Sequence, residues 1–335
     1  MSSPRRSGGI AWRRALAAGR VVAILVAMGT ACTYVVARPD VLIGTASPTD
    51  MYNALGGSMC RLFNLETARH GRRCSEAPSA GSVANIESLG RGRLDIGIVQ
   101  SDVLADAVAG DGVFAARGPT TDLRVLFAGH DEMLTLVARR DSGVRTVADL
   151  RGTRVNLGWP GARERAGMER ILTALGLVRG DLMEAREVSA AAQGRAFCAG
   201  ELDVIVYSVP HPNGLIADVT TTCGGRLVDV SGAGIERMLA ELRQYERGVI
   251  PGGTYAGNPD TVRTFGVRAV IVAGPRVSDA VAYEMTGAVF DNVEAFRRLH
   301  PAFGRLSVTE MVHVGVRAPF HAGALRYYRE RGWLP

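Results

Sequence analysis

The chain contains no lysine; all 39 of its basic residues are arginine. That absence removes a Walker-type phosphate loop, a pyridoxal Schiff base and an S-x-x-K nucleophile, each of which needs a lysine amine. G-x-S-x-G and H-E-x-x-H are missing as well. Gly90-Arg91-Gly92 lacks the third glycine of a dinucleotide loop, and it precedes a strand where that fingerprint needs a helix. There is no C-x-x-C, so a zinc ribbon and a thioredoxin-type site are excluded. The 6 histidines are scattered without metal-ligand spacing. No catalytic centre, cofactor or metal is therefore expected. Aromatics are only 6% of the chain against 41 glycines, which favours an α/β protein with tight strand-to-helix turns over an all-β sandwich.

The positive charge is local. Arg5, Arg6, Arg13, Arg14 and Arg20 lie in the first 37 residues, which hold no acid; without those five the net charge falls from +6 to +1. A nucleic-acid partner is not supported. The same segment reads as an export signal over 1–37: arginines, then the apolar run Val21 to Met28, then small residues, with cleavage after Ala31 or Ala37. An uncleaved anchor, a lipoprotein signal ending at Cys32 and a twin-arginine signal at Arg13-Arg14 are the alternatives. The stretch Val21 to Ala37 falls short of the roughly 20 residues that span a bilayer. Four cysteines remain beyond it: Cys60, Cys74, Cys198 and Cys223. An even count in an exported chain points to disulfides. Three pairings are open, the local one closing a short loop in each half, and four free thiols are the alternative.

A weak internal repeat organises the rest. Val41 to Ser47 resembles Arg154 to Gly161, and Gly92 to Val99 resembles Gly200 to Tyr207, preceded by helices at 82–89 and 190–198. Near-continuous apolar strands are buried on both faces, so each copy is a parallel β–α–β unit. A strand at 134–138 leaves the first lobe and one at 264–272 returns to it, with helices expected at 279–299, 309–314 and 322–331. The expected fold is two open α/β lobes joined by a two-strand hinge, with lobe 1 at 38–138 plus 264–335 and lobe 2 at 139–263. Ligands of open parallel sheets sit beyond the strands' carboxyl ends. Thr45, Ser47 and Thr49 are placed there to start a helix, Ser82 to cap another, and Gln100 and Asp102 to follow the strand ending at Val99. In the second half Pro160 to Arg165 opens a helix, and His211 and Asn213 follow a strand. Helix starts attract anions, and Arg165 is the expected partner of a carboxylate, because a guanidinium matches that shape with paired donors.

Several stretches carry a resemblance: Ile43-Gly44-Thr45-Ala46-Ser47 running to Tyr52, Gly56 to Leu62, Ala80 to Ile86, Asp95 to Asp102, His211-Pro212-Asn213-Gly214, Thr220 to Cys223, Ile250 to Tyr255, Gly257-Asn258-Pro259 and His300 to Phe303. From about Val41 to Trp333 the chain resembles the TAXI family, the solute receptors of one class of TRAP transporter. The resemblance implies a type II periplasmic-binding-protein fold. It also implies a fused integral-membrane permease as partner, import driven by an ion gradient, and a small carboxylate as ligand, a glutamate-like amino acid or a 2-oxo acid. Carried over by motif, it implies Thr45, Ser47, Tyr52, Ser82, Gln100, Asp102, Gly161, Arg165, His211 and Asn213 as cleft residues in a monomeric receptor. Trp159, Ala162 and Gly167 stand where the family pattern has Asn, Ser and Thr, so two hydroxyls are lost and a less polar ligand is expected. A module of the same fold that feeds a signalling partner is the alternative.

Overall fold

Alternating burial along the strands decides the architecture. In Ile96–Gln100, Ile96 and Ile98 enter one hydrophobic cluster and Val99 another; in Val204–Val209, Val204 and Val206 face one cluster and Ile205 and Tyr207 another. Apolar side chains on both faces of a strand require cover on both sides of the sheet. The computed structural model describes residues 41–335 apart from 49, 160, 161 and 243, so the segment 1–37 expected to be an export signal, Cys32, Thr49, Pro160 and Gly161 lie outside the described residues. Among those described, no helix is long and apolar enough to cross a membrane.

The strands are β1 (Val41–Gly44), β2 (Cys74–Ala77), β3 (Ile96–Gln100), β4 (Arg124–Ala138), β5 (Arg154–Asn156), β6 (Glu184–Arg186), β7 (Val204–Val209), β8 (Arg226–Leu227), β9 (Glu246–Ile250) and β10 (Val262–Ala273). The helices used below are α1 (Met51–Leu65), α2 (Ser82–Gly90), α3 (Ser101–Ala109), α4 (Arg163–Ala174), α5 (Ala190–Cys198), α6 (Gly214–Thr222), α7 (Asp279–Phe290), α8 (Val293–Arg298), α9 (Val308–His313) and α10 (Ala322–Glu330). One sheet runs in the order β2-β1-β3-β10-β4-β7-β5-β6. β1 is parallel to β2 and β3, and β5 is parallel to β6 and β7. β4 and β10 alone of the long strands reach both halves. β4 pairs with β10 from Arg124 to Met133 and with β7 from Met133 to Ala138, both antiparallel. β10 pairs with β9 from Val262 to Gly266 before joining β3.

Several expectations are corrected here. The strand expected at 134–138 begins at Arg124, and the helix expected at 279–299 breaks into α7 and α8. β9 was not anticipated. Asp50 caps α1, its Oδ1 accepting from the Tyr52 amide at 3.0 Å, so Thr45 and Ser47 do not. Ser82 is the first helical residue of α2 and Gly81 is its cap; the Ser82 Oγ instead accepts from the Gln100 amide at 3.0 Å, tying α2 to the end of β3. The local cysteine pairing is the one formed: Cys60–Cys74 and Cys198–Cys223, with Cα atoms 4.9 and 5.4 Å apart.

Candidate functional site

The carboxyl ends of β1, β3 and β7 open onto one cleft, which is the place physical reasoning assigns to a ligand in such sheets. A cavity of about 270 Å³ there is lined by Ser47, Asp50, Glu132, Arg163, Glu164 and Asn213, among others. A smaller one of about 20 Å³ adjoins it, shares Glu132, Arg163 and Ser208, and adds Gln100, Asp102 and Gly167. A larger groove, about 690 Å³, lies elsewhere, between β9 and the segment 302–317. Volume does not make it the better candidate. Its buried arginine, Arg268, is already bound to Glu246 and Glu310, both at 3.3 Å.

Arg163 is the cation of the cleft. It is the first residue of α4, and its guanidinium crosses to the opposite half, where Nη2 donates to Asp50 Oδ2 at 2.8 Å and Nη1 reaches Glu132 Oε2 at 3.4 Å. The guanidinium also sits 5.5 Å over the Tyr52 ring. Glu132 is 2% exposed and lies in the middle of β4. Its Oε2 also accepts from Gln100 Nε2 at 2.7 Å. Burial pushes the Glu132 carboxyl up against the opposing pull of Arg163, while the charge of Glu132 holds the Arg163 guanidinium above its ordinary value. Burial also raises the carboxyls of Asp102 and Glu164.

The expected residues do not all meet in the cleft. Ser47, Gln100, Asp102 and Asn213 line the cleft cavities. Tyr52, 1% exposed, lies beneath them. Thr45 is fully buried and serves the sheet, its Oγ1 donating to the Ala77 carbonyl at 3.2 Å. His211 faces the 690 Å³ groove, held between Thr135 Oγ1 at 2.9 Å and the Tyr255 hydroxyl at 2.5 Å. Burial lowers its pKa to about 4, so it is neutral near pH 7. Arg165 turns away from the cleft to Glu169 at 3.0 Å and Glu187 at 2.9 Å. The helix period explains the exchange. Two residues along a helix is a rotation of roughly 200°, so Arg163 and Arg165 leave opposite faces. A Cβ at Gly167 would lie 2.7 Å from a Leu134 methyl. The missing hydroxyl at that position is thus tied to the bulk of Leu134.

Asp50, Glu132, Arg163 and Glu164 were not singled out from the sequence. A signal for Glu132 was present: His130-Asp131-Glu132 interrupts an apolar strand, and charged residues in a buried strand are rare unless paired.

A profile of the NMT1-like family matches residues 43–332, and the chain belongs to that family. Among solved structures, it is similar to PhnD1 from Prochlorococcus marinus in complex with methylphosphonate, with 13% identity over 89% of this chain and all of that one, at a TM-score of 0.50. It is also similar to the periplasmic aliphatic sulphonate binding protein SsuA from Escherichia coli, with 15% identity over 88% of this chain and 84% of that one, at a TM-score of 0.48. The fold is that of the type II periplasmic binding proteins.

Proposed function

We propose that the chain is an exported, periplasmic solute receptor of a TRAP-type transporter, which takes a small carboxylate into the cleft at Arg163 and delivers it to an integral-membrane permease. It is a binder and not an enzyme. The observation that carries this reading is the state of Arg163: a guanidinium from one half, planted at a helix start, already grips a carboxylate from the other half. Asp50 occupies the position that a solute carboxylate would take. The fold and family membership support a solute-binding role, and the motif resemblance supports the TRAP class. The lobes that close on the solute are read as 38–138 plus 264–335 and 139–263.

Native mass spectrometry of freshly purified protein identifies the co-purifying solute, and calorimetry measures its affinity. Arg163→Gln removes a charge-assisted pair of about 1.5–3 kcal/mol, so binding weakens by roughly 10- to 100-fold with an unchanged far-UV spectrum. An unaltered dissociation constant in that variant would remove Arg163 from the site.

A further inference from the structure

A second group of charges joins the two halves away from the cleft. It lies in the 690 Å³ groove and alternates in sign: Glu310, Arg268, Glu246, Arg317. The side chain of Arg268, on β10, is 8% exposed; its Nε reaches Glu246 Oε2 and its Nη2 reaches Glu310 Oε2, each at 3.3 Å. Its Nη1 donates to the Gly129 carbonyl at 3.2 Å. Arg317 Nη2 stands 3.7 Å from Glu246 Oε1, and the Gly315 amide donates to the same carboxylate. Gly315 lets its segment come this close: its φ is +77°, and a Cβ there would lie 3.0 Å from the Arg268 Cβ.

The chain distributes these partners unevenly. Glu246 is the first residue of β9 and pairs with Gly266, the last step at which β9 follows β10. It belongs to the half read above as 139–263. Arg268, Glu310, Gly315 and Arg317 belong to the other half, within 264–335. Among the four charges, Glu246 therefore spans the halves, whereas Glu310 bonds Arg268 from the same side. None of the four side chains lines the cleft cavities. We propose that Glu246 is a positioning residue for the cleft: it holds the closed arrangement, the one in which Arg163 reaches Asp50, from a point that touches no guest. This rests on the two-lobe reading above and not on the chemistry of the solute. Swinging 139–263 about β4 and β10 takes Glu246 away from Arg317 and Gly315 and leaves Arg268 with one acid. Parting a buried ion pair leaves an uncompensated charge behind, so opening is disfavoured, and the affinity for a guest rises with the closed fraction.

Small-angle X-ray scattering of the full-length mature protein, dialysed free of small molecules, reads the open fraction without naming a solute. Glu246→Gln should shift the equilibrium toward the open form by roughly 10-fold and enlarge the radius of gyration. Glu310→Gln breaks a pair of the same length at the same guanidinium, but within one half. It should lower the melting temperature and leave the radius at the wild-type value. An unchanged radius in Glu246→Gln overturns the proposal. So does an equal expansion in Glu310→Gln, the mark of a merely structural role. Where Glu246→Gln fails to fold, Arg317→Gln removes its partner on the other half, and an unchanged radius there overturns the proposal equally. Arg163→Gln separates this proposal from the two-lobe reading. If Arg163→Gln expands the protein and Glu246→Gln does not, the lobes close but Glu246 does not hold them. If neither expands it, the two-lobe reading falls as well.

Discussion

The two halves of the sheet have the same plan and different chemistry at equivalent points. β2-β1-β3 closed by antiparallel β10 mirrors β6-β5-β7 closed by antiparallel β4. Asn85 and Gln193 are each the fourth residue of a helix, α2 and α5, and each is fully buried. Asn85 Nδ2 donates to the carbonyls of Thr45 at 2.7 Å and Ile98 at 2.8 Å, across the gap where β1 and β3 end. Gln193 does the same work between β5 and β7: Nε2 donates to the Val206 carbonyl at 2.7 Å, and Oε1 accepts from the Val206 amide at 3.0 Å and from Asn156 Nδ2 at 2.7 Å. The partner position differs accordingly. A Cβ at Gly44 would stand 2.6 Å from Asn85 Oδ1, whereas Asn156 sends its side chain to meet the longer glutamine. What repeats is the satisfaction of the buried backbone groups, not the residue that achieves it.

The disulfides offer the largest test of that likeness. Each half has one, closing 14 residues in the first and 25 in the second. Replacing either pair by serine costs about 3 kcal/mol on the chain-entropy account, and the longer loop costs more by roughly 0.5 kcal/mol. Urea midpoints of the two double-serine variants read the order. A reversed order, with the Cys60–Cys74 pair the more costly, breaks the symmetry between the halves and ascribes the difference to the folded state. Next in size, Asn85→Ala and Gln193→Ala each strip donors from buried carbonyls at about 2 kcal/mol. If the two positions are equivalents, their losses match within about 1 kcal/mol. A neutral substitution at one of them ends the equivalence.

The interior repeat was legible because it is written in strand periodicity: the copies Gly92 to Val99 and Gly200 to Tyr207 became β3 and β7, and the helices expected at 82–89 and 190–198 lie where α2 and α5 lie. Ser47, Gln100, Asp102 and Asn213 were also legible, because strand ends fix which loops face the cleft. The cation was not. Choosing between Arg163 and Arg165 needs the rotational setting of α4 against the sheet, since the two leave opposite faces of the helix. Glu132 was hidden for another reason. Its charge reads as the end of a strand, while in the fold β4 continues through it because Arg163 and Gln100 arrive from distant segments to meet it. Such meetings are tertiary, and the local pattern does not name the partners.

The mouths of the halves are where the likeness fails, and the smallest expected effect tests that failure. Asp50 and Asn213 cap α1 and α6 in the same way, each accepting at Oδ1 from the amide two residues on, at 3.0 Å. Both line the 270 Å³ cavity. Only Asp50 also holds Arg163. Asn213→Ala should therefore lose a cap, about 1 kcal/mol of stability, with little change at Arg163. Asp50→Asn keeps an equivalent cap, since asparagine and aspartate rank together there, and gives up the charge at the helix start, about 0.3–1 kcal/mol. It also removes the internal competitor for the guanidinium. Calorimetry of the co-purifying solute should then show tighter binding in Asp50→Asn than in the wild type, by a few-fold, alongside a small loss in melting temperature. The sign is what matters. Weaker binding would mean that Asp50 touches the solute itself, and that the ion pair across the cleft is part of the bound state rather than a stand-in for the guest.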